Sequence, residues 1–148
     1  MLLKEQKFQR KIIRCIVNKA CNKLNIAPIP VKFNDNNNIY ADVDKENQHI
    51  SIDLIRLIIE VQIKNNQSEE IFKHVKRISS IKKRIKFILF HEVAHIYQCR
   101  KYEKSFELNF KKQRSLQLGK YNYADYRKFP LENKADKIAL SLINTGGI

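Results

Sequence analysis

The stretch Ile88-Leu89-Phe90-His91-Glu92-Val93-Ala94-His95-Ile96-Tyr97 carries two histidines four residues apart, with a glutamate directly after the first. On an α-helix four residues make about one turn, so both imidazoles lie on one face. From there two ring nitrogens can reach one zinc ion at about 2.0–2.1 Å. Glu92 can point at a metal-bound water without being a ligand itself. Such a water has its pKa lowered towards roughly 7, so a neighbouring carboxylate can take its proton near neutrality. Ile88, Leu89, Val93, Ala94, Ile96 and Tyr97 are uncharged, while Lys82, Lys83, Arg84, Lys86, Arg100 and Lys101 lie outside that window. The charge stops where a buried metal site would start.

A zinc site open to chemistry needs a third protein ligand and one vacant position. The other histidines, His49 and His74, precede the motif, and none follows it at short spacing. That excludes a metzincin-type arrangement. Among the downstream acids, Glu132 is the best candidate, in Pro130-Leu131-Glu132-Asn133-Lys134-Ala135-Asp136. Glu132 and Asp136 share a helix face, where an exposed pair would repel. Facing a metal, they make sense together: Glu132 binds the ion, and Asp136 accepts the second N–H of a ligand histidine, His91 first, fixing its tautomer. Ala135 and Ala139 would let this helix pack closely on the motif helix. Glu103, Glu107 and Asp125 are the other acids in range. Glu103 lies two turns beyond His95, too far along the axis, and Cys99, one turn on, reads as a small buried hydrophobe.

Outward from this pair, the rest of the chain reads as an α+β fold. Phe8, Ile12, Ile16, Ala20 and Leu24, with Ile13 and Val17 beside them, mark a helix over residues 4–24, ended by Asn25 ahead of Pro28 and Pro30. Val31 and Phe33, then Ile39, Ala41 and Val43, then Ile50 and Ile52, alternate with polar residues, as half-buried strands do. The turn-forming runs Asn34–Asn38 and 45–48 between them predict a three-stranded antiparallel meander. Helical spacing returns from Asp53, again from Ser68 to Ile78, from Ser79 or Ser80 to about Lys101, and over 105–118. A tyrosine-rich segment, Tyr121 to Tyr126, leads to Pro130, which suits the first turn of a last helix.

The chain has 148 residues, a length that suits one domain spanning 1–148 with a core of its own. It is 43% hydrophobic and 30% charged, which argues against disorder. Cys15, Cys21 and Cys99 make an odd count with no CxxC pair, so neither a disulfide framework nor a zinc ribbon is indicated, and a reducing cytoplasm fits best. The charged N-terminus is unlike a signal peptide, and no apolar run is long enough to span a membrane. A net charge of +14 favours acidic partners, nucleic acid among them, although the lysines are spread along the whole chain.

His91-Glu92-Val93-Ala94-His95 together with Glu132-Asn133-Lys134-Ala135-Asp136 resembles the two-helix signature of gluzincins. More narrowly it resembles the small ImmA/IrrE-type metallopeptidases of phages, plasmids and mobile elements, and the related minigluzincins. Ala20 to Val31 is similar to that family's entry into its first strand, and Ala135 to Leu142 to its last helix. The resemblance implies a zincin-like fold: an N-terminal helix, a small sheet whose edge strand receives an extended peptide, and two zinc helices. It also implies one Zn²⁺ per chain and action on a specific protein, often a DNA-bound repressor. The basic insert between His95 and Glu132 is longer than that pattern. Tyr123 and Tyr126, with Tyr121, are candidates to stabilise an oxyanion because they precede Glu132. Two other readings stay open: a zinc-bearing accessory protein that only binds, and a nucleic-acid-associated basic module.

Overall fold

The computed structural model describes residues 2–44, 46–62, 81–117 and 129–144. Among these, five helices and a small three-stranded mixed sheet make an α+β fold: α1 (Leu2–Lys23), β1 (Val31–Asn34), β2 (Ile39–Asp42), β3 (His49–Asp53), α2 (Leu54–Gln62), α3 (Ile81–Lys101), α4 (Glu103–Gln117) and α5 (Pro130–Asn144). The helix read over Ser68–Ile78 lies outside the described residues.

Helix α1 buries Ile13, Val17, Ala20 and Cys21, whereas Phe8 and Ile12 are exposed. The buried stripe is therefore turned by one residue from the one that starts at Phe8. Asn25 ends the helix in the left-handed conformation, φ 56°. The Ile26 N–H then donates to Cys21 O at 3.0 Å and the Asn25 N–H to Asn22 O at 3.2 Å. This is a Schellman close, with asparagine tolerating a backbone that most residues avoid.

The sheet is not an antiparallel meander. Its order is β1-β3-β2, with β3 central. β1 runs parallel to β3, Val31 opposite Ile50 and Asn34 opposite Asp53. β2 runs antiparallel to it, Ile39 opposite Ile52 and Asp42 opposite His49. Period-two alternation is the same for both pairings, so the pattern alone could not separate them. Burial decides the order: Ile50, Ser51 and Ile52 are covered on both faces, which only the middle strand can be. Asp53 holds the crossing in place. Its Oδ2 accepts the Asn37 N–H at 2.8 Å. Its Oδ1 accepts the Ile55 N–H at 3.1 Å and the Arg56 N–H at 3.2 Å, capping α2. The Asn34–Asn38 segment thus passes over the end of β3, helped by the positive φ of 65° at Asn37, and β2 returns on the far side.

Helix α3 runs through the middle of the core, with Phe87, Leu89, Phe90, Val93, Ala94 and Ile96 buried. Its most extensive partner is α5, and α1, α2, α4 and the sheet pack around its other sides. Ala94, Ala135 and Ala139 are fully covered at the α3–α5 contact, and small side chains there bring the two backbones close. No described helix is long and apolar enough to cross a membrane.

Candidate metal centre

Close packing of α3 on α5 brings His91, His95 and Glu132 together. His91 Nε2 lies 2.8 Å from Glu132 Oε2. His95 Nε2 lies 3.0 Å from His91 Nε2 and 3.2 Å from the same Glu132 oxygen. Glu132 is 3% exposed and His91 7%, so the cluster is withdrawn from bulk water.

The other ring nitrogens decide what these atoms can do. His91 Nδ1–H donates to Asp136 Oδ1 at 2.8 Å, one turn along α5 from Glu132. His95 Nδ1 lies 3.2 Å from Gln98 Oε1. Gln98 donates through its Nε2 to Leu131 O at 3.1 Å, so its oxygen faces the imidazole and the ring must supply the proton. In the neutral rings both protons sit on Nδ1, and both Nε2 lone pairs point at the Glu132 oxygen and at each other. Three lone pairs converging within 2.8–3.2 Å repel unless a cation or a proton lies between them. Two imidazole nitrogens and one carboxylate oxygen are a set that can hold a metal ion. Tetrahedral bonds of about 2.0–2.1 Å set ligand atoms roughly 3.3 Å apart, so the triangle fits an ion after opening by a few tenths of an ångström.

Compared with family models, with curated proteins and with solved structures, the chain matches none of them. The site is therefore read from its own residues.

Glu92 follows His91 on α3 and is half-buried at the floor of the cleft over the cluster. Burial pushes its carboxyl up from the ordinary value, against the charges of His91 and His95 and a backbone hydrogen bond from Ala41. One wall of the cleft is β2, the other α4, which contributes Phe106, Phe110, Gln113 and Arg114. β2 is an edge strand. The Asp53 N–H donates to Asn38 O at 3.0 Å, so alternation aims the main-chain groups of residues 40 and 42 at β3 and those of 39 and 41 at the cleft, where the Ala41 N–H meets Glu92.

Gln98 and Gln113 are the site residues that sequence reasoning passed over. Gln98 follows His95 by three, on the same helix face. Gln113 completes a stripe with Phe106 and Phe110, a buried polar residue in an otherwise aromatic row. Glu103 and Glu107 sit exposed on α4. Cys99 is buried with Phe106 and Leu131 beneath the cleft. Tyr121, Tyr123, Asp125 and Tyr126 lie outside the described residues.

Without metal, protons take its place. Burial disfavours the charged form of His91, but hydrogen bonds to Asp136 and Glu132 outweigh it, and its pKa is pushed up to about 9. Burial likewise disfavours the Glu132 carboxylate, yet hydrogen bonds from His91 and His95 hold it well below the usual range. A raised histidine stabilises the metal-free fold fully below its ordinary value of 6.5 and stops doing so as pH rises through about 9. A metal ion must displace that proton. Its apparent affinity should climb about tenfold per pH unit and level off near pH 9. Asp136→Asn should weaken metal binding about 10–100-fold and move the plateau to lower pH, because the imidazolium loses its carboxylate. Competition titrations at several pH values test both, and an affinity independent of pH would contradict them.

Proposed function

We propose that the protein is a zinc-dependent peptidase of the gluzincin type, with His91, His95 and Glu132 holding the ion and Glu92 as general base. The observation that carries this is the convergence of two lone-pair nitrogens and a carboxylate oxygen, each imidazole pinned from behind, beside a half-buried carboxylate. Two histidines and a glutamate are a common ligand set of zinc peptidases, and imidazole with carboxylate suits zinc. The sequence likeness to the small ImmA/IrrE-type peptidases, and a zincin-like reading of the two helices and sheet, belong to the same proposal.

Zinc, when bound, supplies a polarised carbonyl and an acidified water. The residues of the chain do the rest. Asp136 and Gln98 keep the histidine lone pairs aimed at the ion. The Glu92 carboxylate takes a proton from the attacking water and returns it to the leaving nitrogen. Tyr123 or Tyr126 is the proposed hydrogen-bond donor to the oxyanion. The substrate is a protein segment bound in extended form along the outer edge of β2, where Ile39 and the Ala41 carbonyl offer main-chain partners. Three free cysteines suit the reducing cytoplasm in which we place the protein. Chelation should abolish cleavage of a peptide library by the purified protein, and added zinc should restore it. Cleavage that survives chelation would refute the mechanism.

One observation favours a second reading. Lys4, Lys7, Arg10, Lys11, Arg14, Lys19 and Lys23 are exposed on α1, against one acid, Glu5. That helix packs on the β1 side, where Arg10 and Arg14 lie over Phe33. Such a face suits nucleic acid, and a DNA-bound regulator as substrate would reconcile both readings. DNA binding that weakens steeply with salt, equally in wild type and Glu132→Gln, is expected if so. Its absence at low salt would remove this reading.

A further inference from the structure

Gln113 is 8% exposed and makes half of a hydrogen-bond set. Its Nε2 donates to Glu132 Oε1 at 3.2 Å, the oxygen that does not face the histidines. This contact fixes the amide, because a carboxylate cannot donate: the nitrogen lies on Glu132 and the oxygen lies on the other side. That oxygen is buried and finds no donor among the described residues, yet Gln113 lines the cleft. Buried acceptors are nearly always paired, so an orphan at the wall of a cleft marks a place where an occupant brings the donor.

The opposite wall says which donor. A peptide extended along the outer edge of β2 bonds through every second residue to Ile39 and to the Ala41 carbonyl, since the Ala41 N–H is held by Glu92. Its intervening N–H and C=O groups then face away from β2, towards α4. We infer that Gln113 Oε1, which has no open surface here, is uncovered by a small shift of its side chain and accepts a main-chain N–H from the peptide bound in the cleft, while its Nε2 holds Glu132. The inference rests on the peptidase reading above. It makes Gln113 a residue that grips the substrate and a metal ligand through one amide, so that an extended peptide is held between the β2 edge and α4 whatever its side chains.

The test is calorimetry on the zinc-loaded protein with acetohydroxamate, with acetyl-trialanine hydroxamate, and with three analogues of the latter that each replace one amide N–H by an ester oxygen. In wild type the peptidyl compound should bind more tightly than acetohydroxamate, and one ester analogue should lose about tenfold. In Gln113→Met the advantage of the parent over acetohydroxamate should fall about tenfold, and that analogue should bind as the parent does. Acetohydroxamate binding to Gln113→Met reports that the variant is folded and metal-loaded, and every peptidyl affinity is taken relative to it in the same protein, which cancels the loss of the Nε2 bond to Glu132. An ester penalty that persists unchanged in Gln113→Met overturns the inference. So does a wild-type series in which no ester loses affinity, a result that needs no variant. Failure of zinc and acetohydroxamate to bind wild type would instead strike the metal site, and this inference would fall with it.

Discussion

Glu92→Gln should leave zinc bound and cut peptide hydrolysis by about 10²–10⁴-fold, the span typical of losing a general base. The amide has nearly the shape of the carboxylate but cannot take a proton. Glu92 is not one of the three atoms that converge, so metal content should stay at the wild-type level. Burial already disfavours the charge at this position, so the neutral amide should cost the fold little. The check is single-turnover cleavage with elemental analysis of the same sample. A variant that cleaves within a few-fold of wild type would remove Glu92 from the chemistry. One that loses its metal would make Glu92 part of the metal's support instead.

His95→Ala and Glu132→Gln should each lose metal far beyond the 10–100-fold expected for Asp136→Asn, since each removes a donor rather than its orienting partner. A thermal melt shows the difference. An ion present at about 1,000 times its Kd adds about 4 kcal/mol to the stability of the folded state. For a domain of this size that is a rise in Tm of roughly 8–16 °C. Wild type should show such a rise when zinc is added, and the two variants should show almost none. Without metal the variants should differ from each other. His95→Ala leaves the buried Glu132 carboxylate with one histidine fewer, whereas Glu132→Gln removes the charge itself while Asp136 still accepts from His91. His95→Ala is therefore the less stable of the two. Equal zinc shifts in wild type and both variants would place the metal elsewhere.

Much of the centre is legible before any coordinates. The spacing of His91 and His95 and the uncharged window around them follow from helix geometry alone. So does the pairing of Glu132 with Asp136. What placed Asp136 behind His91, at 2.8 Å, was the close α3–α5 contact that Ala135 and Ala139 allow. The sheet departs from an antiparallel meander for a physical reason. Alternation reports which face of a strand is buried, not the direction of its neighbour, and the Asn34–Asn38 run has the composition of a hairpin turn. Only Asp53, bonding Asn37 on one side and the start of α2 on the other, makes that run a crossing. Gln113 was hidden because an isolated glutamine in the basic helix α4 has no signature. Its position depends on α4 folding back over His91, His95 and Glu132, which no local pattern reports. The α1 stripe is turned by a residue because Ile13, Val17, Ala20 and Cys21 face the core, and a helical period does not choose between adjacent apolar rows.

The most direct test of the central claim is the metal content of the purified wild-type protein, measured by elemental analysis. One zinc per chain, retained through dialysis and lost in His95→Ala, is the expected result. A chain that holds no zinc even after incubation with the ion would contradict the account at its root, and would leave the convergence of His91, His95 and Glu132 as a buried hydrogen-bonded cluster.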